Sequence, residues 1–113
     1  MSNSVPPSVT YPSPNEWPNS VRVITGITKE ANARVTSPLH GFTSADENIT
    51  VIDFHQVKGM IQINTLPATI LKIIDPNNFT INLNTSDFFT YTSGGQLIIV
   101  AGNSPYDPYQ NVL

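Results

Sequence analysis

Residues 79–84 constrain the fold more than any other stretch of this chain, because Phe79, Ile81 and Leu83 alternate there with Thr80, Asn82 and Asn84. Successive side chains on a strand point to opposite faces, so this alternation marks a strand buried on one side only. It is launched by Asp75-Pro76-Asn77-Asn78. Asp suits the first position of a turn, Pro is pre-set for the second, and Asn tolerates left-handed geometry after it. Residues 68–74 just before the turn are apolar on both faces, as expected of a central strand. Further β-branched runs fall at 21–25, 33–36, 48–54 and, after Ser93-Gly94-Gly95, at 96–101. In the run 48–54, Thr50, Ile52 and Phe54 share one face, and Ile49, Val51 and Asp53 the other. Residues 59–64 and 86–91 each read as a single helical turn. Strands at this spacing joined by tight turns predict an all-β barrel or sandwich with no helix longer than a turn.

The first twenty residues follow a different rule. Five of the ten prolines (Pro6, Pro7, Pro12, Pro14 and Pro18) lie there, with a single charge, Glu16. Proline fixes φ, removes a donor and holds the preceding residue extended, so helix is excluded. Two readings stay open: a solvated tail, and an arm that orders on a partner. Apolar side chains recur along the segment at Val5, Val9, Tyr11 and Trp17, and a purely solvating tail has no use for the only tryptophan in the chain. Fully burying these four contributes roughly 6–12 kcal/mol at about 1.5–3 each. Ordering some 15 residues costs about 1–2 kcal/mol apiece, less where proline has already restricted the chain. An arm of this kind docks only where main-chain hydrogen bonds or several copies add to its binding. The tail 103–113 repeats the composition, with Pro105, Tyr106, Pro108 and Tyr109. The sequence thus divides into an extended arm (1–20), a β-barrel domain (21–102) and a short C-terminal tail (103–113). Val5, Val9, Tyr11, Trp17, Tyr106 and Tyr109 are the candidate partner-binding residues.

Composition narrows the function. At 113 residues there is room for one core. Only 12% of residues are charged, against a norm of about 25%. Asn, Ser and Thr fill the difference, giving a polar, weakly charged surface suited to packing against neighbours. The five basic residues are dispersed and the net charge is −3, so nucleic acid is not an expected partner. There is no cysteine, hence no disulfide, thiol nucleophile or thiolate metal site. No apolar run approaches the ~18–20 residues of a membrane span. The first twenty residues lack a basic-then-apolar leader. The chain is therefore expected to be soluble and made in the cytoplasm.

Few side chains suggest chemistry. Asp53 and His55 are two apart on one strand face, a spacing open to an Asp-oriented imidazole or two metal ligands. The only other histidine is His40, which leaves the ligand set short, and a hydrogen-bonded histidine at a strand end is the simpler reading. Asp46-Glu47 reads as a solvated turn before a strand. No nucleotide-binding glycine motif or nucleophile–base pattern is present. Tyr91 and Trp17 could stack on sugar rings, but they stand apart from other aromatics. No catalytic residue, cofactor or metal is expected.

A longer succession of motifs is more specific. His40-Gly41-Phe42, Val51-x-Asp53, Val57-Lys58-Gly59-Met60, Ile63-Asn64, Ile74-Asp75, Phe79-Thr80-Ile81 and Tyr91-Thr92-Ser93-Gly94-Gly95 occur in this order. Together, over residues 23–101, they resemble a module of tailed-phage virion proteins that is similar to the first catalytic cysteine half-domain of ubiquitin-activating enzymes. The resemblance implies an SH3-like β barrel used as a structural unit that is not an enzyme. It also implies a virion location, as a capsid decoration or cement protein or a tail or connector component. The implied partners are other virion proteins in a homo-oligomer or multi-copy assembly. A glycan-binding or adhesion module of a receptor-binding apparatus is the alternative. The chain departs from the module at Ala45-Asp46, where Gly-Asp is usual, and at Gln56-Val57, where Gly-Val is usual.

Overall fold

A computed structural model describes residues 20–102; apart from Ser20, the expected arm (1–20) and the tail (103–113) lie outside the described residues. Seven strands follow one another: β1 (Val21–Val23), β2 (Gly26–Ile27), β3 (Arg34–Thr36), β4 (Val51–His55), β5 (Pro67–Asp75), β6 (Asn78–Ile81) and β7 (Gln96–Ala101). Among the described residues, two 3-10 helices, Ser44–Asp46 and Ile61–Thr65, interrupt them. The pairings are antiparallel in the order β1-β7-β4-β5-β6-β3-β2.

The two ends of that order are consecutive in the chain, separated only by Ile24 and Thr25. Ile24 N–H donates to Gly95 O at 3.1 Å beside β7, and Thr25 N–H to Thr36 O at 2.9 Å beside β3. The sheet therefore curls until its edges meet in one kinked segment, which makes a small β barrel. The run 21–25, expected as a single strand, is in fact two strands that serve opposite ends of the sheet.

The long strand β5 makes this curvature possible. Its first half pairs with β4 (Ala68 with Ile52, Thr69 with Val51) and its second half with β6. The register with β6 slips at Leu71 and again at Ile74. Each slip adds an unpaired residue, which bends the strand and re-aims its side chains. β5 is central as expected, but it is not covered on both faces: Ile74 is turned out to 50% exposure and Lys72 is exposed.

The alternation of 79–84 holds. Phe79 and Ile81 are fully buried, Leu83 packs against the core, and Asn82 and Asn84 are exposed. Thr50, Ile52 and Phe54 are buried as the face pattern predicts. That strand starts only at Val51, however, because Asn48 sits at φ 64°, outside extended geometry. Ile70, Leu97 and Ile99 complete the barrel wall, and Met60 and Ile63 close one end. Each such side chain contributes roughly 1.5–3 kcal/mol on burial.

The loops show the other departures. Residues 59–64 do hold a helical turn, Ile61–Thr65, whereas 86–91 hold only a hydrogen-bonded turn from Phe88 N to Thr85 O. Asp46-Glu47 is not solvated. Asp46 is buried in a capping box, accepting from Thr43 N–H at 2.8 Å and the Thr50 hydroxyl at 3.1 Å. The Glu47 carboxylate accepts from Ile73 N–H at 2.8 Å, satisfying a backbone donor of β5.

Candidate functional site

One of the residues held in left-handed geometry, Leu39, lies in a loop that covers a β-turn. The loop from Ser37 to Phe42 leaves β3 and folds over the turn joining β5 to β6. Its backbone is tied to that turn throughout. Ser37 N–H donates to Asn77 O, Leu39 N–H to Asn77 Oδ1 at 2.9 Å, and His40 N–H to Pro76 O at 3.1 Å. The turn is itself stapled, with Asp75 Oδ1 accepting from Asn77 N–H at 2.8 Å. That bond, and the amide of Asn78, hold the Asp75 carboxyl below its ordinary pKa. The asparagines of this turn tolerate left-handed geometry but do not adopt it. Among the described non-glycine residues it occurs instead at Leu39, Asn48 and Gln56.

His40 is the fixed point of the loop. Fully buried, it accepts at Nδ1 from Phe42 N–H (2.9 Å), so Nε2 carries the proton and donates to Asp75 O at 2.8 Å. Its ring stacks on Phe42 at 5.3 Å and meets the edge of Phe79. Its carbonyl accepts from Arg22 Nε at 2.7 Å, and the Arg22 guanidinium lies 5.6 Å from the centre of the Phe42 ring. Burial lowers the Arg22 pKa, with Asp46 opposing the shift. The hydrogen-bonded histidine was expected at His55, at a strand end; the structure has His55 at the end of β4, but the hydrogen-bonded ring is that of His40, in a loop. His55 is exposed at the end of β4, beside a half-buried Asp53. Among the described residues no three His, Asp or Glu side chains are placed to hold a metal ion.

With its neighbours pinned, Leu39 is forced outward. It sits at φ 52°, a region that costs an L-residue roughly 1–2 kcal/mol, and its side chain is 79% exposed. It rims an open groove of about 450 Å³ whose other walls are Gly41, Phe42, Thr43, Ile73, Asp75 and Pro76. The accessible wall is almost wholly apolar. A second depression shares Leu39 and Gly41 and extends to Val21, Arg22 and His40, at the point where the chain joins β1. An exposed apolar rim held in a strained conformation over an apolar floor is suited to contact with another surface.

All six residues singled out for partner binding (Val5, Val9, Tyr11, Trp17, Tyr106 and Tyr109) lie outside the described residues. Of the two aromatics considered for sugar stacking, Trp17 lies there too. Tyr91 packs against the core, and its hydroxyl donates to Gly94 O at 2.7 Å. Sequence reasoning missed Leu39. The available signal was an apolar residue set among turn formers, in Ser37-Pro38-Leu39-His40-Gly41.

Residues 34–100, from β3 into β7, match the family model of the ubiquitin-activating enzyme E1 FCCH domain. No curated protein matches the chain.

Proposed function

The chain belongs to the ubiquitin-activating enzyme E1 FCCH domain family, and from that premise we propose that it is a non-enzymatic attachment module. In this reading it is a structural protein of tailed-phage virions, binding other virion proteins through its barrel and N-terminal arm. It serves as a capsid decoration or cement protein or as a tail or connector component. The ubiquitin chemistry in the family's description is not carried over, since the chain has no cysteine to bear a thioester.

The observation that supports the reading is the groove at Leu39. A side chain kept outward at a conformational cost, over an apolar floor and beside the start of the arm, stabilises nothing in the isolated barrel that the structure describes. The weak charge of the surface is consistent with close packing in a multi-copy assembly. Mass spectrometry of purified particles, with heads and tails separated, tests the proposal. The protein is expected in one fraction at stoichiometric, multi-copy abundance. Its absence from both would overturn the reading.

A further inference from the structure

The groove lies where the chain outside the described residues begins. Ser20 is buried and its carbonyl accepts from Ile99 N–H at 2.9 Å, so the backbone is anchored there. Val21, the next residue, already lines the depression that shares Leu39 and Gly41 with the larger groove. Nineteen residues precede this anchor, and the apolar side chain nearest to it is Trp17. Three extended residues from the anchored Ser20 span about 10–11 Å, which keeps Trp17 near the neighbouring depression.

We propose that the Leu39 groove is the docking site of the chain's own Trp17, which seats there in cis with Pro18 against Leu39, Ile73 and Pro76. Three observations carry it. The tether is short, and a short tether gives an effective concentration in the millimolar range, well above that of a free partner. The occupant matches the site in chemistry: an indole followed by proline is a flat apolar unit, and the groove offers apolar walls. Charge agrees as well. Glu16, the only charged residue of the preceding segment, lies beside Trp17, and Arg22 flanks the groove. This inference rests on the reading of the groove as a contact site, and it assigns that site a definite occupant.

The single tryptophan makes the test direct. In the full chain, its fluorescence should be blue-shifted and poorly quenched by iodide, independently of protein concentration. In Leu39→Asn, whose side chain tolerates left-handed geometry, the emission should move to the red and quenching should rise several-fold. An unchanged far-UV circular dichroism spectrum would show the fold retained. Ile73→Ser is the second variant, expected to act in the same direction. Equal, solvent-like emission in the wild-type chain and Leu39→Asn would overturn the proposal. So would a buried signal that both variants leave intact. A blue shift lost on dilution would overturn cis docking in favour of a second copy's arm. Failure here leaves the particle fractionation unaffected, so the two readings fail separately.

Discussion

Gln56 shows how a single residue can record a family's backbone. The related module usually has glycine before the valine here, and the structure keeps the glycine conformation, φ 62°, with glutamine in its place. At the other departure, Ala45 lies inside the 3-10 helix Ser44–Asp46, where no positive φ is required. Gln56→Gly should therefore remove left-handed strain of roughly 1–2 kcal/mol and give back about 0.5–1 in backbone entropy. The expected result is a net gain of about 0.5–1 kcal/mol, read as a higher urea midpoint at unchanged slope. A lower midpoint would mean that the exposed glutamine makes a contact worth more than the strain. Leu39 carries the same strain but resisted sequence reading, for a physical reason. Its geometry is imposed by bonds to Asn77 and, through His40, to Asp75, residues about 35 positions away in the chain.

Among the elements, the loop 91–95 is fastened to the β1–β2 kink by one side chain. The Tyr91 hydroxyl donates to Gly94 O and lies 3.3 Å from Ile24 O, and burial raises its pKa above the ordinary phenol value of 10.0. A raised phenol pKa means that folding favours the protonated form. The stabilisation is complete below the ordinary value and is lost as pH climbs through the raised one. Tyr91→Phe should cost about 0.5–1.5 kcal/mol at neutral pH and reduce the loss of stability above pH 10, both measured by urea titration. Much of the element plan was legible in the sequence. β7 has the expected bounds, the 75–78 turn is where it was placed, and the alternation of 79–84 reports one-sided burial directly. The bulges at Leu71 and Ile74 were not legible, because an extra residue is defined only by the partner strand it fails to pair with. The kink at Ile24-Thr25 was hidden for a similar reason. A run of β-branched residues looks the same whether or not it changes partners midway. The groove combines one such bulged strand, β5, with a tertiary loop, so no local pattern announced it.

At the scale of the whole molecule, a single wall of side chains serves both sides of the barrel, so damage to it is not local. Phe79 touches His40 and Phe42 at the groove end and is fully buried. Phe79→Ala should remove about 3–5 kcal/mol, a large share of the ~5–15 kcal/mol available to a small domain. Loss of cooperative thermal unfolding, or a melting transition lowered by well over 10 °C, is the expected outcome by circular dichroism. A near-wild-type melt would show that the loop collapses to fill the space. Closure of the barrel also sets an order of events. Val21 pairs with Ile98, so the first of the described strands waits for the last of them. At about 5–20 residues per second, the 76 intervening residues take roughly 4–15 s to synthesise. During that interval β1 has no partner, and contacts this distant in sequence form slowly even once the chain is complete. Closure of the barrel is in that sense a late event in the life of the chain, since β1 stays an open edge until β7 has been made.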